Sequence, residues 1–183
     1  MMYPEYATID GKDYKINTDF NVALKCFEVI EDEEINDAER TLAVLFLLFG
    51  FIPENHLEEF LEKATLYLQC GTPKNNSSSN ERDMDFNADR CYINASFMSD
   101  YKIDLSQTEM HYWMFVDLLK GLTEHSILSR IREIRNYDLS DIKDAKLRNK
   151  ILKAKESVAL PKKFTKEEQE AIDNFEKLFE KGE

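Results

Sequence analysis

The reading of the fold turns on 107-QTEMHYWMFVDLLKGL-122, where His111, Tyr112, Trp113 and Phe115 fall within five residues. At about 100° of rotation per residue, Met110, Met114, Leu118, His111, Phe115 and Leu119 share one wide arc. Tyr112 and Val116 extend it, and only Glu109, Asp117 and Lys120 interrupt the far side, around Trp113. A helix apolar nearly all round is either central to its fold or covered by partners. Ser106-x-x-Glu109 reads as the capping box that opens this helix, and Gly121 as its stop.

The sequence on either side is also mostly helical. Upstream, 6-YATIDGKDYKI-16 reads as strand, turn, strand, because Asp10-Gly11 suits a type I′ turn. A lone hairpin is marginal, so it must pack on helices or pair with another strand. Thr18 is the expected cap of a helix over 19–31, with Phe20, Leu24, Phe27 and Ile30 on its inner face. Asn36 and Glu39 form a capping box for 38–49, and Gly50 ends it. Pro53 fits the first position of a helix running to Cys70, with Leu57, Phe60, Leu61, Ala64 and Leu68 inward.

The Ser/Asn-rich stretch 71–83 reads as a flexible loop. Helices are expected over 85–99, with Phe86, Ile93 and Phe97 on one face, from Thr123 to about Arg135, and from Ser140 to about Lys155. Pro161 marks a break. Beyond it, Thr165-x-x-Glu168 opens an amphipathic helix striped by Phe164, Ile172, Phe175, Leu178 and Phe179. The expected fold is therefore mainly α: a multi-helix bundle with a small N-terminal β-hairpin and a C-terminal amphipathic helix. Residues 1–157 form the helical domain, and 158–183 the hinge and terminal helix.

Composition agrees with this. Only five Gly and four Pro occur in 183 residues, too few for a loop-rich β protein, while 43% hydrophobic residues suffice for a real core. The net charge of −12 argues against nucleic acid and anionic membranes as partners, since both attract Lys and Arg. It suits a soluble protein-binder, and more rarely a DNA mimic. Cys26, Cys70 and Cys91 follow no framework spacing, which points to reduced thiols in a cytosol. The N-terminus has no signal-peptide pattern. The longest apolar run, 42-LAVLFLLFGFI-52, is too short to span a bilayer.

Motifs for chemistry are sparse. His111 has two readings: a core histidine bonded to a backbone carbonyl or an acid, or a catalytic or metal-binding group. The second would need an orienting acid, for which Asp104 and Asp117 are candidates, and a nucleophile, which no motif marks. His56 and His125 are joined to it by no zinc-site spacing. There is no Gly-rich phosphate loop or nucleophile elbow. The acid runs 31-EDEE-34 and 58-EEFLE-62 read as solvated faces and caps, and the arginines of 130-RIREIR-135 as ion-pair donors. No catalytic, cofactor-binding or metal-ligating residue is assigned, and no enzymatic activity is expected.

A resemblance adds to this. The stretch 85–122 is similar to a family of small phage and prophage proteins, the bacteriophage gp-fifteen family. The shared pattern comprises Asp85, Phe86, Asp89, Ile93 and Phe97, then Tyr101, Ile103, Asp104 and Leu105. Met110, His111, Tyr112, Trp113, Phe115, Leu118, Leu119, Gly121 and Leu122 follow, and Ile134-Arg135 continues it. Asp19-Phe20, residues 37–39 and 49-FGFIPE-54 also fit. The likeness covers most of 15–155, and Tyr112 stands where relatives often carry Trp. It implies a gene between the major tail protein and tape-measure genes of a long-tailed phage. The implied role is a tail-assembly chaperone in the cytoplasm of the bacterial host. The implied clients are the tape-measure protein, and with it the tail-tube protein or a sister chaperone. Self-association is a further option. The rivals are a structural tail component and a small His- or metal-dependent enzyme. The residues expected to meet a partner are Trp113 and Tyr112, with Phe164, Ile172, Phe175, Leu178 and Phe179 of the terminal stripe.

Overall fold

Asp10 and Gly11 both take positive φ, 47° and 71°, as a type I′ turn requires. They join β1 (Tyr6–Ile9) to β2 (Lys12–Lys15), paired antiparallel with Ala7 opposite Tyr14 and Ile9 opposite Lys12. The computed structural model describes residues 3–72, 82–140 and 142–161. Seven helices follow the hairpin among these residues: α1 (Phe20–Glu31), α2 (Asp37–Phe49), α3 (Leu57–Leu68), α4 (Arg90–Tyr101), α5 (Tyr112–Lys120), α6 (Ile127–Asn136) and α7 (Ala145–Ser157). The fold is mainly helical with a small hairpin, as its sequence indicates. The hairpin buries Ala7 and Ile9 and sets Tyr14 edge-on against Phe60 of α3, ring centroids 4.8 Å apart.

The core is a column of aromatic rings. Phe20 of α1 stacks on Phe115 of α5 at 4.8 Å, and Phe97 of α4 stacks on Phe115 at 5.3 Å. One side chain of α5 thus couples three helices, and offset rings at such distances add to plain burial. On the far side of α4, Leu128 and Ile131 of α6 are buried, and the hidden Ser96 hydroxyl accepts the Leu128 amide at 3.0 Å.

The N-termini of α1 and α5 are stitched antiparallel. Phe20 N–H donates to Met110 O at 2.9 Å, and Tyr112 N–H to Thr18 O at 2.7 Å. The two residues between them, Asp19 and His111, each cap their own helix. Asp19 Oδ1 accepts the Asn21 amide at 2.7 Å, and His111 Nδ1 accepts the Trp113 amide at 3.1 Å.

Several helix starts differ from the sequence reading, for one recurring reason. The Asn36–Glu39 capping box and the left-handed Gly50 stop are present. But α1 is capped by Asp19 rather than Thr18, whose carbonyl is taken by the stitch. The Ser106 hydroxyl and amide are both captured by Asp104, at 2.6 and 2.9 Å, so α5 begins at Tyr112 and no box with Glu109 forms. Asp138 captures Ser140 in the same way, and α7 is capped by Asp144 instead. Asp100 takes the amide and hydroxyl of Thr123, and Ser126 caps α6. In the last three cases a carboxylate captures the hydroxyl expected to start a helix, Asp104 and Asp138 by closing a local turn and Asp100 from 23 residues away. Asp85 likewise accepts the Asn87 and Ala88 amides, so α4 starts at Arg90 rather than 85. Pro53 is buried before α3, which starts only after His56 in a left-handed conformation.

Inner faces shift with these starts. In α3 the buried side chains are Phe60, Ala64, Tyr67 and Leu68, while Leu57 and Leu61 are exposed. In α1 they are Phe20, Ala23 and Cys26, with Ile30 outside. Met114 of α5 is exposed too. Of the expected loop, Arg82 and Asp83 are tied down by ion pairs to Glu31 and Arg132. Residues 73–81 and the expected terminal helix with its Phe164–Phe179 stripe lie outside the described residues.

Candidate partner-binding surface

Trp113 and Tyr112, singled out for partner contact, both finish the C-terminal end of α3. The Tyr112 hydroxyl donates to Leu68 O and Trp113 Nε1 to Tyr67 O, each at 2.9 Å. The last carbonyls of a helix have no partner within it; Tyr112 supplies a donor to Leu68 O, and Trp113 adds a second to Tyr67 O, which also accepts the Cys70 amide at 3.0 Å. Tyr112 is only 3% exposed, and burial pushes its phenol well above the ordinary range. Trp113 is half-buried, stacked on Tyr67 at 6.0 Å. Gly71 lets the chain turn here: its φ is +75°, and a Cβ would meet the Trp113 ring at 3.0 Å.

His111 is half-buried at the helix start rather than inside an apolar arc. Its Nδ1 accepts the Trp113 amide, which leaves the proton on Nε2, and Nε2 donates to Pro4 O at 3.0 Å. Tyr3 stacks on the ring at 5.0 Å and donates to Asp117 at 3.0 Å. One ring nitrogen thus caps α5 and the other holds the N-terminal segment. Neither Asp104 nor Asp117 orients the ring; they serve Ser106 and Tyr3. His56 lies between Asp10 and Glu59 at 3.6 Å each, and His125 beside Glu124. Among the described residues no three His, Cys, Asp or Glu side chains converge to hold a metal. The Cys26 thiol is pushed up to about 12 by burial, far from the reactive thiolate.

Of the three arginines of 130–135, Arg132 and Arg135 form ion pairs with carboxylates. Arg135 forms a fork onto Asp89, both bonds 2.7 Å, with Asp89 0% exposed. Arg132 reaches Asp83 at 2.9 Å. Burial raises the Asp83 carboxyl, but hydrogen bonds from Arg132 and Asn136 outweigh it and hold the group below its ordinary value.

The open apolar surface lies elsewhere, on α2 and just after it. Val44, Leu45, Leu48 and Phe49 point inward. The opposite side carries no charge from Thr41 to Pro53, and there Phe46 is 56% exposed and Ile52 52%. Ile52 also borders a hollow of about 600 Å³ lined by Tyr14, Phe51 and Phe60 on one hand and by Asp10, Lys12 and Glu54 on the other. This surface went unnoticed in the sequence, though 42–52 is the longest apolar run in the chain and overfills a single buried face. An uncharged run that leaves large apolar side chains in water is a candidate interaction site.

Compared with known protein families, residues 3–160 match the family described as Bacteriophage Gp15 protein. The chain belongs to that family. No curated protein and no solved structure matches it. The match runs from the residue that stacks on His111 to the end of the described chain, stopping one residue short of Pro161. The residues that carried the sequence resemblance are, in this Gp15 protein, mostly packing and stitching groups. Phe86, Phe97 and Phe115 meet in the ring cluster, and Asp89 holds Arg135. The Tyr101 hydroxyl donates to Leu118 O at 2.9 Å, in space left free by Gly121, whose Cβ would lie 3.0 Å from it. Among the described residues, no helix of this Gp15 protein is long and apolar enough to cross a membrane.

Proposed function

We propose that this Gp15 protein is a non-enzymatic tail-assembly chaperone, acting in the host cytoplasm on the phage tape-measure protein, the tail-tube protein, or both. The observation that carries the reading is the uncovered apolar face of α2 with Phe46 and Ile52, on an acidic member of a phage family. A tape-measure protein is a long helical chain whose apolar faces need shielding until the tube surrounds them. An apolar helix face, with a partly aromatic hollow at Ile52, suits a client helix laid along it. Net negative charge keeps such a carrier soluble while its apolar face is open. Many weak copies along one client would add up to durable cover.

The test is co-expression with the tape-measure and tail-tube proteins of the same phage, followed by fractionation of finished tails. A chaperone co-purifies with a client before assembly and is absent from the finished tails. Stoichiometric presence in purified tails would make it a structural component instead. Failure to bind either client would remove the reading.

A further inference from the structure

The helix α7 is anomalous in this fold. It has 13 residues and none is buried. A helix of that length is marginal in water without tertiary cover. Within the described residues it packs chiefly on α6; Arg135 bonds Val158 O and Lys155 bonds Tyr137 O, the carbonyls just past the two helices. Leu147 is 47% exposed, and Leu152 is also open. The segment 143–155 holds six Lys or Arg against one carboxylate, in a chain of net charge −12. Lys146, Lys150 and Lys153, spaced i, i+4 and i+7, share one face around a shallow hollow that also includes Leu147, Asn149 and the capping Asp144.

The sequence that follows has the complementary character. Residues 164–183 carry seven carboxylates against three lysines. At helical spacing, Glu167 and Glu176 would border the apolar positions Phe164, Ile172, Phe175, Leu178 and Phe179, Glu168 would fall among them, and Lys166 and Lys177 would fall behind. Residues 164–179 would span roughly 24 Å as a helix, against about 20 Å for α7. Six residues, 158–163, connect Ser157 to Phe164, a length that ordinarily joins antiparallel helices. So short a tether gives an effective concentration of the order of millimolar, which favours this segment over any free partner.

We propose that the Lys146–Leu147–Lys150–Lys153 face of α7 is the docking surface for residues 164–179 of the same chain. Exposed charge pairs alone contribute little, so the apolar stripe holds the segment and the charges set its direction.

The test uses the full chain, mixed from ¹⁴N- and ¹⁵N-labelled copies and treated with a zero-length carbodiimide cross-linker. Cross-links from Lys146, Lys150 or Lys153 to Glu167, Glu168 or Glu176 are expected within single-isotope copies. The double substitution Phe175→Asp/Leu178→Asp should abolish them and speed amide exchange in α7 at least tenfold. Lys150→Glu with Lys153→Glu should weaken docking, and Glu167→Lys with Glu168→Lys should restore it. Mixed-isotope cross-links would make a second copy the occupant and overturn the proposal. So would an absence of cross-links, or α7 exchange indifferent to the stripe. No client is present in this experiment, so its outcome is independent of the chaperone reading.

Discussion

Removing the Arg135 guanidinium is the sharpest test of what holds the helices together. Arg135 donates twice to Asp89 at 2.7 Å, once to Asp83 O at 2.9 Å and once to Val158 O at 2.6 Å. It therefore ties α6 to the start of α4, to the segment before it and to the end of α7. Asp89 is fully buried, and among the described residues its further bond comes from the Asp85 amide at 3.0 Å. Arg135→Ala leaves that carboxylate hidden from water with one donor, which costs about 3–5 kcal/mol. Domain stabilities total about 5–15 kcal/mol, so the variant should be close to unfolding. Urea titration followed by the single tryptophan, Trp113, measures the loss, with the m value checked for constancy. Replacing both partners, as Arg135→Met with Asp89→Leu, removes the stranded charge and should recover most of the stability. A loss under about 1 kcal/mol for the single variant, or no recovery in the double, would refute the claim that a desolvated charge pair organises this end of the fold.

Phe46→Ser should change stability by no more than about 0.5 kcal/mol, as for other surface positions, while lowering client co-purification at least tenfold; undiminished capture would take α2 out of the binding surface. Trp113→Ala should cost about 2–3 kcal/mol, since a half-buried ring loses less than the 3–5 kcal/mol of a buried one but also gives up its bond to Tyr67 O. A thermal melt equal to wild type would contradict that. For Asp83 the folded-state carboxyl lies below its ordinary value, so its stabilisation is present above the unfolded value near pH 4 and is lost as pH falls through the lower folded one. Asp83→Asn should flatten the fall in stability over that acid range, and an unchanged slope would show that the Arg132 tie carries none of it.

The periodic elements were legible because hydrophobic spacing records burial directly. The Asp10-Gly11 turn, the Asn36–Glu39 box and the Gly50 stop depend on neighbours in sequence, and they could be read there. Caps could not be read where two polar residues competed. Ser106, Ser140 and Thr123 all look like caps in isolation, and each is taken by an aspartate. For Ser106 and Ser140 that aspartate stands two positions upstream, a local signal that could have been weighed. For Thr123 it is Asp100, 23 residues away, and only the fold brings them together. His111 as a cap was illegible for the same reason: its role follows from the stitch to Thr18 and from Pro4 O, both distant in sequence.

The rule that a helix apolar on all sides is central or covered by partners applies to two helices here, and they satisfy it differently. In α5 the rule is met inside the fold. Tyr112, Phe115 and Leu119 are buried, and the Trp113 side is used to finish α3. In α2 it is not met. The helix packs on α1 and α3, which cover the side bearing Val44, Leu45, Leu48 and Phe49. No charged side chain then appears until Glu54, although a solvent-facing helix surface is where charge costs least. Apolar residues that contribute nothing to the core of the monomer leave Phe46 and Ile52 in water. Burying such side chains against a client would contribute roughly 1.5–3 kcal/mol each. Two of them would give a weak, reversible grip, which is what the proposed chaperone role requires for releasing a long client.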